Sequence, residues 1–230
     1  MEIKAESSAF VQVGEVSCPC MQTIPFRYSK VILGVTLGVL LFLAQVASAA
    51  DINTLPLDTK GSSLKFFCES FMHDFHGEAK EFSGSALVAP DAVPPIQKAT
   101  LRFKTAKLTT FVKDRDAKMY DWLKVSVNPD AIFELKSVRQ SSGDFKAADA
   151  QHPAQFTIAG TLTLNGVKQN IEGAANGWRE KDRLIVTGET VVDTLQYKLP
   201  QVRMLVLTVG TNVKTVYTFS FVLPETYAKK

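Results

Sequence analysis

Within this 230-residue chain, the stretch that most restricts the fold is Gln155 to Leu164. Phe156, Ile158, Gly160, Leu162 and Leu164 alternate there with Gln155, Thr157, Ala159, Thr161 and Thr163. Strand side chains point to opposite faces at period two, so this is a half-buried strand. Asn165-Gly166 follows at once, and that dipeptide accepts the positive φ angles of a type I′ turn, which returns Val167 to Gly173 antiparallel.

The same period recurs along the chain. Leu64, Phe66 and Cys68 share a face of Ser63 to Glu69, and Leu101 and Phe103 share one of Ala99 to Thr105. Further strands are predicted at Glu78 to Ala89, Ala131 to Arg139, Arg183 to Val192 and Asn212 to Leu223, the last with Val213, Thr215, Tyr217, Phe219, Phe221 and Leu223 on one side. One segment has a helical period: Asp114 to Lys124 opens with acids and spaces Met119 and Leu123 four apart, which predicts a short amphipathic helix between strands. Leu199 to Val209 opens with Pro200 and fits either a helical turn or a loop over the end of the sheet. Seven to nine antiparallel strands with short turns close as a barrel or a sandwich. Gly84, Gly160, Gly173 and Gly188, inside strand patterns where glycine marks bulges and bends, favour the barrel.

Ahead of this region lies an uncharged apolar run, Val31 to Ala50, preceded by Arg27 and Lys30 and ending in Ala47-Ser48-Ala49. That is the layout of an export signal cleaved after Ala49, and it reaches the roughly 20 residues of a membrane span only marginally. Residues 1–49 are therefore expected to be an N-terminal extension and signal peptide, with Met21 as an alternative start, and residues 50–230 one domain. No stable membrane span is expected after cleavage, and the protein is expected to be periplasmic or secreted. Without residues 1–49 the three cysteines reduce to Cys68, so no internal disulfide supports the fold.

The net charge of +3 comes from 26 basic and 23 acidic residues spread along the chain, without the basic stripe that nucleic-acid binding requires. No Gly-x-Ser-x-Gly, His-Glu-x-x-His or phosphate-binding glycine loop occurs, and no catalytic residues are assigned. His73 and His76 lie three apart, where strand residues face opposite ways. With His152 they stand only as an alternative metal or haem reading. Cys68 reads as a small core hydrophobe ahead of a nucleophile. Lys113-Asp114-Arg115-Asp116 suits a helix N-terminus, and Arg115 and Asp116 also fit the mouth of a barrel, orienting a polar ligand head. The phenylalanines, among them Phe75 and Phe133, suit a packed core or a lined apolar tunnel.

In order and spacing, several of these segments resemble the YceI-like family of exported bacterial proteins. They are the first strand with His73-Asp74-Phe75-His76-Gly77 and Phe82-Ser83-Gly84, then Thr109-Thr110 with Asp114-Arg115-Asp116 and Met119, Phe133, the run from Gly160 to Val167, and the closing Val213 to Phe221. The resemblance implies an all-β, eight-stranded antiparallel lipocalin-like barrel with one short helix between strands. It also implies an apolar interior for a long-chain amphiphile such as an isoprenoid or isoprenoid quinone, and no catalysis. Asp193 to Pro200 departs from the family's Asp followed by Phe-Gly. The residues expected to contact such a lipid are Phe66, Cys68, Phe75, Leu101, Phe103, Arg115, Asp116, Phe133, Phe156, Ile158, Leu162, Tyr197, Tyr217 and Phe219. No cofactor other than a bound isoprenoid-type lipid and no metal are expected. The partner is a lipid or quinone-type ligand, not nucleic acid, and a homodimer stays open. A filled structural or partner-binding barrel is the other alternative.

Overall fold

The computed structural model describes residues 53–70, 73–89, 91–204 and 207–225 of the chain. The signal-peptide segment, its alternative start and Cys18 and Cys20 lie outside the described residues. Twelve strands form one antiparallel sheet: β1 (Asn53–Pro56), β2 (Ser63–Ser70), β3 (Phe75–Ala79), β4 (Phe82–Val88), β5 (Ile96–Lys104), β6 (Leu108–Thr109), β7 (Asp130–Ser142), β8 (Ala154–Leu164), β9 (Val167–Glu180), β10 (Arg183–Asp193), β11 (Arg203–Met204) and β12 (Leu207–Val222). The sole α-helix among the described residues, α1 (Lys113–Leu123), connects β6 to β7.

Hydrogen-bonded order in the sheet is β1-β4-β5-β7-β8-β9-β10-β12-β2-β3-β6, with β11 pairing only β12. The expected eight strands are thus corrected to eleven in sequence around a curled half-barrel. One source of the difference is the expected strand Glu78 to Ala89, which is two strands. The chain turns at Lys80-Glu81, and β3 and β4 pair with different neighbours, β3 with β2 and β6, β4 with β5 and β1. Period two continues on both sides of such a turn, so hydropathy alone does not show it. The sheet also bends back on itself: Leu57 bridges Phe221, and Asp58 N–H donates to the Ser220 carbonyl at 2.9 Å.

Register follows the alternation. β8 and β9 meet through Asn165 and Gly166 at φ +50° and +71°, with Leu164 opposite Val167 and Phe156 opposite Ala175. Tyr217 lies opposite Gly188 and Phe219 opposite Val186. In β7 a bulge between Leu135 and Ser137 shifts the inward set, so that Ala131, Phe133 and Leu135 are followed by Val138. A bulge adds twist and bends the strand, which helps the sheet curl.

The helix begins after Val112, which supplies no side-chain cap, and carries Asp114 and Asp116 in its first turn, where carboxylates suit the dipole. It ends at Lys124, in the left-handed region at φ +54°, whose N–H bonds the Asp121 and Tyr120 carbonyls. Trp122 Nε1 donates to the Pro200 carbonyl at 2.8 Å, so the 198–201 segment is fixed to the helix. The described residues of Leu199 to Val209 form a loop, β11 and the start of β12. Leu123, Val192, Tyr197 and Leu199 form a small core beneath the helix, and the main core lines the inside of the sheet.

Candidate functional site

Inside the curled sheet is a cavity of about 620 Å³, within the range of small-molecule and lipid sites. Its wall is drawn from the long strands, among them β2 with Leu64, Phe66 and Cys68, β5 with Leu101 and Phe103, β8 with Phe156, Ile158, Leu162 and Leu164, and β12 with Val213, Thr215, Tyr217, Phe219 and Phe221. The face predicted for each of these strands is the face that lines the cavity.

Large rings line this space without filling it because glycines opposite give them room. Tyr217 faces Gly188, and a Cβ there would collide with the Tyr217 hydroxyl and lie 2.6 Å from the Ala174 carbonyl. Phe133 lies over Gly160, where a Cβ would come within 2.6 Å of both its ring and the Glu134 carbonyl. Each ring is folded along the wall over a neighbouring strand, and the lumen stays open.

The two ends differ. At one, the lining consists of buried Pro95, Phe145, Phe156, Leu184 and Phe221, with Phe145 and Phe156 edge to face at 6.1 Å. At the other, α1 lies across the opening and contributes Arg115, Lys118, Met119 and Trp122, with exposed Val112, Asp114 and Lys118 on the rim.

Arg115 is held firmly there. Its Nε donates to Thr110 Oγ1 and its Nη2 to the Thr110 carbonyl, both at 2.8 Å, and the guanidinium stands 4.6 Å from the Phe75 ring centroid. It forms no ion pair among the described residues. Asp116 accepts from Thr110 N–H (2.7 Å) and Thr110 Oγ1 (2.5 Å) with Oδ1, and from Thr109 Oγ1 (2.7 Å) with Oδ2. Burial would raise its carboxyl, but the hydrogen bonds from Thr110 and Thr109, with Arg115 nearby, outweigh it and hold the pKa below the usual carboxylate range.

Of the fourteen residues expected to contact a ligand, the structure brings twelve together on the cavity wall: Phe66, Cys68, Phe75, Leu101, Phe103, Arg115, Phe133, Phe156, Ile158, Leu162, Tyr217 and Phe219. Two lie elsewhere. Asp116 faces Thr109 and Thr110 and positions Arg115 through Thr110, because its carboxylate accepts from the Thr110 N–H and both threonine hydroxyls. Tyr197 is buried with Leu123 and Leu199 under the helix, since the turn following β10 folds it inward beneath α1.

Sequence reasoning missed Pro94, Pro95 and Phe145 at the closed end and Lys118 and Trp122 at the open one. Phe145 sits in a loop with no period to betray it. Met119 and Trp122 belong to the helical pattern, which carried their signal without saying what they cover.

Burial pushes the Cys68 thiol up to about 11, against a smaller opposing pull from Arg115, and burial pushes the Tyr217 phenol up to about 12. His73 and His76 are exposed, and His152 lies in the 143–153 loop beside Asp149. The three do not converge, and no group of three or more His, Cys, Asp or Glu among the described residues is placed to hold a metal.

An apolar chamber inside an antiparallel sheet is the arrangement the resemblance implies, and the family model of the YceI-like domain matches residues 56–221. The chain belongs to the YceI-like family. Among its relatives, a UPF0312 protein of Yersinia pestis (strain Pestoides F) is 28% identical over 148 residues, 62% of this chain and 69% of the relative. A UPF0312 protein of Yersinia pseudotuberculosis (serotype O:3, strain YPIII) matches to the same extent. The crystal structure of BcnA from Burkholderia cenocepacia superposes at a TM-score of 0.60 and 14% identity, covering 71% of this chain and 98% of BcnA. A polyisoprenoid binding domain from Saccharophagus degradans superposes at 0.56 and 17% identity, covering 75% and 99%. At these identities the two structures show a shared fold. No helix among the described residues is long and apolar enough to cross a membrane.

Proposed function

We propose that this YceI-like protein binds and carries a long-chain amphiphile, an isoprenoid or isoprenoid quinone, with the chain inside the cavity and the polar head beside Arg115. The observation that carries this reading is the distribution of polarity. The wall is mainly aliphatic and aromatic from Phe221 and Phe145 at the closed end to Leu162 and Met119 near the mouth, and three of its four charged residues, Asp114, Arg115 and Lys118, belong to the helix at the rim, the fourth being Glu172 of β9. Burying apolar surface contributes about 25 cal/mol per Å², reduced by the cost of ordering a flexible chain. The Arg115 guanidinium, fixed by Thr110 and Phe75, keeps donors available for a head group without further side-chain ordering. The neighbour from Saccharophagus degradans, described as a polyisoprenoid binding domain, supports the ligand class.

The reading is of binding rather than catalysis, and it is supported by the burial that pushes the one cavity thiol, Cys68, up to about 11. Export to the periplasm or beyond rests on the Arg27 to Ala49 segment, and the N-terminal sequence of the exported chain tests it. For the ligand, native mass spectrometry of the purified protein followed by organic extraction is expected to show a bound adduct that extracts as a prenyl lipid. A protein that arrives empty and takes up neither polyprenols nor quinones would overturn the reading.

A further inference from the structure

A cargo this apolar has almost no free concentration in water, so where the mouth points decides where the cargo comes from. The closed end is sealed by Phe145, Phe156, Leu184 and Phe221, so passage is through the helix end. Most of the exposed large apolar residues lie around that same end, with Val93 and Val222 at the other. Val112 on the rim is 47% exposed, Phe111 beside it 57%, Val127 in the turn after α1 74%, and Leu195 in the turn after β10 53%. Apolar surface grouped at a cavity mouth is a mark of an interaction face.

Phe111 is presented at a cost. Its backbone is in the left-handed region at φ +64°, which a bulky residue seldom adopts. Its N–H donates to Thr109 Oγ1 at 3.0 Å. Its ring stands 5.7 Å from the His76 ring, which in turn stands 6.1 Å from half-exposed Phe67, and the Lys80 ammonium lies 5.5 Å from its centroid. These contacts keep the ring outside, away from the lumen.

The charges beside this apolar rim are mainly positive. Lys107, Lys113, Lys118, Lys124 and Lys198 lie on the elements at this end with Arg115, against Asp114, Asp116, Asp121 and Asp193. Lysines flanking exposed aromatic and aliphatic side chains are the chemistry of a surface that seats in the headgroup layer of a bilayer, and anionic lipids attract such a cluster.

We propose that the helix end of this protein docks on an anionic phospholipid surface, so that cargo passes between the bilayer and the cavity without crossing water. This rests on the lipid-binding reading above and adds the face and the partner surface. The test is co-sedimentation of the purified chain with vesicles of phosphatidylcholine alone or with phosphatidylglycerol added. The parent and two double variants, F111S/V127S and K107E/K113E, are compared, and uptake of a polyprenol presented as a cyclodextrin complex is measured in parallel.

The expected result is binding to the phosphatidylglycerol vesicles, reduced about tenfold in each double variant, with uptake from cyclodextrin unchanged because none of the four residues lines the cavity. If parent and variants pellet equally, or none pellets, while all take up the polyprenol, the docking face is wrong and the binding reading stands. If the parent takes up no polyprenol from cyclodextrin, the binding reading fails and the docking proposal fails with it.

Discussion

The two ends of the cavity are built from the same alternating strands and follow opposite rules. At the closed end, rings and aliphatic side chains from β8, β10 and β12 meet a loop residue, Phe145, and exclude water. At the open end, the strands stop at a helix tied down by polar bonds: Tyr120 Oη to the Leu108 carbonyl at 2.7 Å, Trp122 Nε1 to the Pro200 carbonyl, and the Arg115-Thr110-Asp116 relay. The closed end contributes stability by burial, and the open end contributes geometry, holding a mouth in place while leaving apolar side chains in water. A chamber needs both: a sealed floor keeps the cargo's environment apolar, and a rim of directional bonds keeps the opening from collapsing.

The largest effect is expected at the floor. Phe156→Ala removes a buried ring that packs on Phe145 and should cost about 3 kcal/mol or more in urea unfolding, whereas the rim variant F111S/V127S should stay within about 0.5 kcal/mol of the parent. Equal losses would erase the distinction between the ends.

Next is the middle of the wall. Gly188→Ala places a methyl group against the Tyr217 hydroxyl and the Ala174 carbonyl, and the backbone cannot yield cheaply. It should cost about 1–3 kcal/mol and push the ring into the lumen, lowering polyprenol uptake. A stable variant with full uptake would refute the claim that glycines keep the chamber open.

At the rim, Asp116→Ala leaves the Thr110 N–H and two hydroxyls without their acceptor and should cost about 1–2 kcal/mol at neutral pH. The folded-state pKa of Asp116 lies below its ordinary value of 3.8, so the folded state binds this proton less tightly than the unfolded chain does. The stabilisation is complete above about pH 5 and is lost as pH falls through the folded value. The gap between parent and variant, followed by thermal melts from pH 7 to pH 2, should therefore narrow only in acid. A constant gap would show that Asp116 acts by packing alone.

The smallest effect concerns Cys68. With its thiol raised from 9.0 to about 11, native protein at pH 8 should be alkylated far more slowly than urea-unfolded protein, and a bound chain should slow it further. Equal rates would show that the wall at Cys68 is open to water.

Much of the wall was legible in the sequence because a strand's period fixes its inward residues once one face is known. Phe156, Ile158 and Leu162 followed from a single run, and Tyr217 and Phe219 from another. The errors fall where period two is silent. It did not register the turn at Lys80-Glu81, which split one expected strand into two and altered the strand count. Nor did it reveal that Phe145 closes the floor, since an irregular loop has no period. Asp116 and Arg115 are adjacent in sequence and both reach Thr110, yet only Arg115 lines the lumen, because the shorter Asp116 side chain ends on Thr109 and Thr110 while the longer Arg115 extends over Phe75 to the cavity wall.

By itself the sequence determined the all-β class, the helix α1, the Asn165-Gly166 hairpin and the apolar face of β2, β5, β8 and β12, because these depend on local periodicity and on φ angles that few residues accept. Only the tertiary structure decided how far the sheet curls, which end is sealed, and that the rings lie along the wall over Gly160 and Gly188. Those outcomes depend on register between strands distant in the chain, and on which side chain meets which glycine across them.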